Sequence, residues 1–156
     1  MLKITIPGFR ETNLADLLLD YNGTLARDGE LIVGVADRLH ELAENLHIHI
    51  LTADTFGKAR DQVADLPCEL SILGPGDQAQ AKLDYVNKVG AGGVVSIGNG
   101  RNDRLMLEGS VLSIAVLQTE GAAVETLTSA DIAVSSILDA LDLLTHPKRL
   151  VATLRS

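Results

Sequence analysis

Short apolar segments alternate with segments of helical periodicity along most of this chain, and this alternation restricts the fold more than any other feature. The segment Ala15–Asp20 carries three consecutive leucines, and Gly93–Gly98 is apolar almost throughout. Continuous apolar runs of this length are typical of strands that are buried on both faces, as in parallel sheets. Repeated strand–helix units therefore predict an α/β fold in which a mainly parallel sheet carries helices on both faces.

The same patterns place each element along the chain. The predicted strands are Lys3–Ile6, Ala15–Asp20, His47–Thr52, Glu69–Leu73, Gly93–Gly98, Val111–Leu117 and Asp131–Val134. The predicted helices are Val35–Leu46, Thr55–Asp65, Asp77–Lys88, Asn102–Glu108, Ala122–Ser129, Ile137–Leu144 and Pro147 to about Arg155. The turn signal Arg27-Asp-Gly29 predicts a small hairpin over Leu25–Val33. No linker or internal repeat interrupts the series, so residues 1–156 are expected to form one domain.

Charge and composition exclude several classes of function. The formal net charge is −8, which argues against a general nucleic-acid or anionic-membrane surface. Aromatic residues make up only 3% of the chain, so the core is expected to be aliphatic. Cys68 is the only cysteine, which excludes an intrachain disulfide and a cysteine zinc cluster. With no signal-peptide pattern at the first residues and no apolar run of membrane-spanning length, the expected compartment is the cytosol.

Polar side chains collect where the predicted strands end. They are Asp20, Asn22 and Thr24, then Thr52 and Asp54, then Lys82 near a helix start, and finally Asn99, Asn102 and Asp103. Each group alone has an ordinary explanation: a turn, a helix cap or a solvated helix face. Because the carboxyl ends of parallel strands meet at one edge of a sheet, we expect these groups to lie together in one crevice.

Together these residue types suit the transfer of a phosphoryl group. Asp20 is a candidate nucleophile that would form an aspartyl phosphate. Asp20 and Asp103 would hold a hard cation through oxygen ligands, and Mg²⁺ is the expected ion. The Thr52 hydroxyl would donate to a phosphoryl oxygen, and the Lys82 ammonium would neutralise charge on Asp20 and the phosphate.

In this order the motifs resemble those of the haloacid dehalogenase (HAD) superfamily. Asp20-Tyr-Asn-Gly-Thr24 is similar to its Asp-x-Asp-x-Thr loop, Thr52 and Lys82 match its second and third motifs, and Gly98-Asn-Gly-Arg-Asn-Asp103 is similar to its acidic Gly-Asp-Gly-x-x-Asp loop. The resemblance covers residues 14–145. It implies a three-layer, Rossmann-like core, a Mg²⁺-dependent hydrolase and a phosphorylated substrate, with metal ligands from Asp20, the Asn22 backbone carbonyl, Asn99 and Asp103.

Within that superfamily the chain resembles the phosphorylation domain of P-type ATPases. Leu51–Arg60 is similar to the Thr-Gly-Asp segment of those pumps, and Gly98–Leu107 is similar to their Gly-Asp-Gly-x-Asn-Asp loop. Glu120–Val134, which ends in Ser-Ala-Asp-Ile-Ala-Val, is similar to the Glu-Ala-Ala-Asp-Ile-Val stretch of the pumps. The resemblance implies a stand-alone relative of that domain, without membrane-spanning helices.

Two positions depart from the HAD phosphatase pattern. Asn22 stands where those enzymes carry a second Asp, which protonates the leaving oxygen and then activates water. An amide cannot exchange a proton near neutral pH, so the resemblance predicts a slow phosphatase that favours good leaving groups. Asn99 replaces a metal-binding Asp, and a neutral ligand attracts a divalent cation less strongly.

Chain length leaves no room for a cap domain. Residues 21–51 and 53–81 are used up by predicted elements of the core. An uncapped site implies either a large substrate or a lid supplied by a second copy in a homo-oligomer. The apolar segment Leu138–Leu154 is expected to pack inside the chain, with a subunit contact as the alternative.

Other interpretations stay open at this point. A catalytically degenerate HAD fold that serves as a binding or regulatory module would also explain Asn22 and Asn99. A receiver-like phosphoacceptor shares an Asp, Thr, Lys and Mg²⁺ site, but the order of the motifs disfavours it. His47 and His49 lie on one face of a predicted strand, where a metal pair competes with ordinary half-exposed histidines.

Overall fold

A computed structural model describes residues 1–156, and its centre is a six-stranded parallel sheet. The strands of the chain are β1 (Leu2–Ile6), β2 (Arg10–Leu14), β3 (Asp16–Asp20), β4 (Ala26–Arg27), β5 (Glu30–Leu31), β6 (His47–Thr52), β7 (Glu69–Ile72), β8 (Val94–Gly98), β9 (Leu112–Val116) and β10 (Ile132–Val134). The sheet has the order β10-β9-β8-β3-β6-β7, and every neighbouring pair is parallel. The predicted fold class is confirmed.

Helices cover both faces of this sheet. They are α1 (Val35–Leu42), α2 (Ala59–Val63), α3 (Gln78–Val89), α4 (Arg104–Gly109), α5 (Val124–Ser129), α6 (Ile137–Thr145) and α7 (Pro147–Leu154). Successive residues of β3 point to opposite faces, so Leu17 and Leu19 pack in a cluster with α1 and α6. Leu18 packs on the other face against Val86 of α3 and Met106 of α4. The result is a three-layer domain with an aliphatic core.

The C-terminal apolar segment packs inside the chain, as expected. Residues Leu141 and Leu144 of α6 and Leu150 of α7 belong to the main core cluster and are almost completely buried. None of the helices is long and apolar enough to cross a membrane.

Three elements differ most from the prediction, and one of them is helix α1, which ends at Leu42 rather than Leu46. Arg10–Leu14 forms a strand that pairs antiparallel with β1, outside the central sheet. Only Thr12 and Leu14 of this strand are buried, so its sequence is mostly polar and carries no apolar pattern that would predict a strand. Helix α2 begins at Ala59 rather than Thr55, because Asp54 and Gly57 have left-handed φ angles of 53° and 68° that interrupt a helix. The Asp54 carboxylate instead accepts a hydrogen bond from Ala59 N at 2.9 Å.

Strand order brings the predicted site together. β3 lies between β8 and β6, and all three run in the same direction. The junctions after Asp20, Thr52 and Gly98 are therefore side by side at one edge of the sheet.

Candidate active site

A buried lysine joins two buried carboxylates at this edge. Asp20, the last residue of β3, and Lys82 of α3 face each other because Asp20 and Leu18 share the sheet face that α3 covers. Lys82 Nζ donates to Asp20 Oδ1 at 2.8 Å and to Asp103 Oδ1 at 2.6 Å. The side chains of Lys82 and Asp103 are 1% and 0% exposed, so little water competes for these bonds. Lys82 is thus a central residue of the site and not a solvated one.

Burial and mutual charge together shift the pKa values of Asp20 and Lys82. Burial raises the pKa of Asp20 to about 6, the charge of Asp103 adds to the rise, and Lys82 opposes it. Burial alone would lower the pKa of Lys82, but the charges of Asp20 and Asp103 and their hydrogen bonds raise it overall. Lys82 therefore remains a cation, and Asp20 is mostly ionised at neutral pH.

Gly98 allows Asp103 to reach its position. A Cβ atom at residue 98 would lie 2.6 Å from Asp103 Cγ, so only glycine leaves room for that carboxylate at the end of β8. Asp103 Oδ2 accepts from the backbone N–H groups of Asn99 and Gly100 at 3.0 and 2.9 Å. With Oδ1 bonded to Lys82, both oxygens of Asp103 have protein partners. Asp103 is thereby placed to orient Lys82; its role as a metal ligand stays a prediction.

The other predicted residues line an open cavity of about 280 Å³ above Asp20. Its walls are Asp20, Asn22, Thr52, Ala53, Thr55, Gln78, Asn99, Gly100, Asn102 and Glu120. Thr52 Oγ1 accepts from Asp54 N at 2.9 Å, which leaves the hydroxyl proton free to donate toward the cavity. Almost all lining side chains are polar, and most are uncharged amides or hydroxyls.

Oxygen atoms suited to a hard cation converge beside Asp20. Thr24 Oγ1 lies 2.9 Å from Asp20 Oδ2 and 3.1 Å from Asn99 Oδ1, so two acceptor oxygens face one hydroxyl. Asn22 Oδ1 is buried and has no hydrogen-bond partner. No group of three or more His, Cys, Asp or Glu side chains is arranged to hold a metal ion, so a cation here would depend on at most two such carboxylates, with amide and backbone oxygens. These donors fit Mg²⁺, which prefers oxygen ligands and keeps several waters.

The orientation of Asn99 is determined by the backbone. Its Nδ2 donates to the carbonyl of Gly121 at 3.0 Å, which turns Oδ1 toward Thr24. A carboxylate at residue 99 could not donate this bond and would set an oxygen against a carbonyl oxygen. Both ends of the Asn99 amide therefore have partners that suit an amide, and an aspartate at this position would lose one of these hydrogen bonds.

Asn99→Asp is expected to destabilise the metal-free chain by about 1–3 kcal/mol, because the partly buried Gly121 carbonyl loses its donor and a charge is added beside Asp20. Mg²⁺ should raise the melting temperature of this variant more than that of the wild type. Thermal unfolding with and without Mg²⁺ measures both effects. The control is Asn87→Asp on the exposed face of α3; equal behaviour of the two variants would contradict the role given to the Asn99 amide.

One segment of the site was missed from the sequence. Residues 118–123, between β9 and α5, reach the loop after β3: Gln118 Nε2 donates to the carbonyls of Gly23 and Thr24 at 3.1 and 2.6 Å. Glu120 brings a further carboxylate to the cavity. In the comparison with P-type ATPases, Glu120 is only the first residue of a similar stretch. Nothing in its local sequence indicates a position beside Asp20.

The two histidines do not form a metal pair. His49 Nε2 lies 2.9 Å from Asp16 Oδ1 and His49 Nδ1 lies 3.0 Å from the Tyr85 hydroxyl, so both ring nitrogens are occupied. The His47 side chain is 87% exposed. This cluster lies at the opposite end of β3 from Asp20 and takes no part in the site.

Comparison of the sequence with known proteins identifies two archaeal relatives. Uncharacterized protein MJ0073 of Methanocaldococcus jannaschii is 50% identical over 62 residues, which are 40% of this chain and 67% of that protein. Uncharacterized protein MJ0072 of the same organism is 54% identical over 39 residues, which are 25% of this chain and 89% of that protein. No protein-family model matches the sequence.

The fold is similar to that of several solved phosphatases. A cobalt-bound deoxy-D-mannose-octulosonate 8-phosphate phosphatase from Haemophilus influenzae superposes with a TM-score of 0.72 at 18% identity, covering 92% of this chain and 94% of that one. The 3-deoxy-D-manno-octulosonate 8-phosphate phosphatase of Moraxella catarrhalis, solved with magnesium, phosphate and KDO, gives 0.65 at 17% identity, covering 91% and 94%. At these identities the likeness concerns the fold.

A P-type pump is also similar, as the sequence motifs suggested. A zinc-transporting PIB-type ATPase in its E2·Pi state superposes with a TM-score of 0.59 at 25% identity. The match covers 79% of this chain but only 20% of the pump. The chain therefore has the fold of the HAD superfamily, and it belongs to one family with the two proteins of Methanocaldococcus jannaschii.

Proposed function

We propose that this chain is a Mg²⁺-dependent phosphohydrolase that works through an aspartyl phosphate on Asp20. The observation that carries the proposal is the buried Lys82 bridge, which holds Asp20 at a strand end beside a polar cavity. A phosphoryl group needs a nucleophile, a cation and donors for its oxygens, and this cavity offers candidates for each.

The positions of the side chains support the following roles. An oxygen of Asp20 attacks phosphorus, the bond from phosphorus to the leaving oxygen breaks, and the leaving group takes its proton from water. Lys82 offsets the charge that gathers on Asp20, and Thr52 donates to a phosphoryl oxygen. Asp20, the Asn22 carbonyl, Asn99 and Asp103 would hold the cation, which would neutralise phosphoryl charge. In the second step water attacks phosphorus and the bond to Asp20 breaks, releasing inorganic phosphate.

Asn22 makes both steps slow. Its side chain lines the cavity two residues after Asp20, but an amide can neither protonate the leaving oxygen nor take a proton from water. The substrate is therefore expected to be a phosphate with a good leaving group, such as an aryl or acyl phosphate. With no inserted cap, the rest of a large substrate would remain outside the cavity, unless a second copy of the chain closes it.

Asp20→Ala is expected to reduce the hydrolysis of p-nitrophenyl phosphate and acetyl phosphate to the rate of the uncatalysed reaction. Asp20 is the only carboxylate of the cavity that lies at a strand end and accepts a hydrogen bond from Lys82, so no other group is placed to replace it. Assays across a Mg²⁺ series measure turnover, and acid quenching detects a hydroxylamine-sensitive acyl phosphate. Asp65→Ala, at an exposed residue remote from the cavity, is the control. Equal rates for Asp20→Ala and the wild type would reject the proposal.

The second candidate is a degenerate HAD fold that binds a ligand without turnover. The two cavity amides, Asn22 and Asn99, favour it. Mg²⁺ with beryllofluoride should raise the melting temperature of an enzyme that can be phosphorylated on Asp20, and should leave a degenerate fold unchanged. Multiple turnovers of a small phosphate ester then separate an enzyme from a stable phosphoacceptor.

A further inference from the structure

The loop of residues 118–123 is attached to both motif loops of the site. On one side Gln118 Nε2 donates to the carbonyls of Gly23 and Thr24 at 3.1 and 2.6 Å. On the other side Asn99 donates from its side chain to Gly121 O at 3.0 Å, and accepts at its carbonyl from Ala123 N at 2.9 Å. Glu120 lies between these two anchors, so its position depends on the loop and not on bonds of its own.

The Glu120 carboxylate faces Asn99 across a space that Gly23 leaves open. A Cβ atom at residue 23 would lie 2.2 Å from Glu120 Oε2, and 2.6 and 3.0 Å from Asn99 Nδ2 and Oδ1. Gly23 has a φ of 79°, which also favours glycine. Glu120, Asn99 and Asp20 line the same cavity. The carboxylate is therefore next to the one amide that stands where a metal-binding aspartate is usual.

The basic side chains of the surrounding elements form ion pairs with carboxylates other than Glu120. Lys82 bonds to Asp20 and Asp103, while Arg101 and Arg104 lie 3.2 and 3.6 Å from Glu125. Glu120 is exposed to solvent and makes no ion pair with any of these three cations. It belongs to no group of three His, Cys, Asp or Glu side chains that could hold a metal ion, and from its exposed position it can act on a cation through bound water.

We propose that Glu120 is a positioning residue for the divalent cation, and that it supplies the negative charge that Asn99 does not. This inference rests on the proposed function, since it concerns the cation of the same site. Lys82 neutralises one of the two charges of Asp20 and Asp103, which leaves one net negative charge near a divalent cation. Glu120 would bring the total close to balance, and its oxygens would accept hydrogen bonds from waters on the cation.

The affinity for Mn²⁺, followed by the electron paramagnetic resonance of free Mn²⁺, tests this role without depending on activity. Glu120→Gln is expected to weaken Mn²⁺ binding roughly 10- to 100-fold, as for other residues that hold water or ligands around a metal. Glu120→Asp keeps the charge and should recover part of the affinity. The melting temperature without metal should stay at the wild-type value, because Glu120 is exposed and pairs with no cation.

Glu125→Gln is the matched control, since it removes the same charge from the adjoining helix, where Arg101 and Arg104 already neutralise it. It should change Mn²⁺ affinity by no more than about twofold. Equal effects of the two glutamine variants would overturn the inference. Asp20→Asn separates the two proposals: if it weakens Mn²⁺ binding and Glu120→Gln does not, only the role of Glu120 fails. If neither variant weakens binding, or the wild type binds no Mn²⁺, the proposed cation site fails with it.

Discussion

Asn22→Asp is expected to raise the turnover of phosphate esters by about 10²–10⁴-fold, which is the usual contribution of general acid–base catalysis. Asn22 lines the same cavity as Asp20, and its Oδ1 is buried without a partner, so no protein bond has to break when a carboxylate replaces the amide. Partial burial disfavours the charged form of such a carboxylate and would help it to hold a proton for the leaving oxygen. Steady-state rates with Mg²⁺ measure the gain.

The leaving group gives this prediction a second readout. An alkyl phosphate needs protonation of its leaving oxygen more than p-nitrophenyl phosphate does, so the gain should be larger for the alkyl ester. Asn102→Asp adds the same charge to the same cavity without placing it two residues after Asp20, and should give no gain. A variant Asn22→Asp that is no faster with either substrate would mean that proton transfer does not limit this chain.

Lys82→Met is expected to lower the free energy of unfolding by about 3–5 kcal/mol, as when one partner of a buried ion pair is removed. The variant leaves Asp20 and Asp103 buried together without the cation that bonds to both. Urea unfolding near neutral pH measures the loss. Lys88→Met, on the exposed face of the same helix, should cost little, since its ammonium lies only over the Tyr85 ring at 5.4 Å from the centroid.

The loss for Lys82→Met should depend on pH. In the folded wild type the pKa of Asp20 is raised from 3.8 to about 6, so its contribution to stability is complete below 3.8 and declines as the pH rises through about 6. Lys82 opposes that rise, so its removal raises the pKa of Asp20 further. Protonation then removes one of the two unpaired charges, and the variant should lose less stability at about pH 5 than at about pH 8. A loss that is the same at both pH values would contradict this account of the bridge.

Much of the sheet could be predicted because its strands carry strong local patterns. β6 was predicted with the bounds that it has, and β3, β8 and β9 within one residue at either end, since each is an apolar run between polar junctions. The failures concern segments in which tertiary contacts dominate. β2 is polar along most of its length and exists because it pairs with β1. Residues 55–58 look helical, but the left-handed backbone at Asp54 and Gly57 delays the start of α2.

By itself the sequence determined which side chains stand at the strand ends, because motif order and the direction of parallel strands place Asp20, Thr52 and Asn99 at one edge. It also identified Asn22 as the residue that is expected to limit proton transfer. Only the tertiary structure decided that Lys82 is buried between two carboxylates, since the distance between side chains on β3, α3 and the loop after β8 is set by packing. The same holds for Glu120, whose loop is held at the site by hydrogen bonds from the Asn99 and Gln118 side chains to backbone carbonyls, which no local sequence pattern indicates.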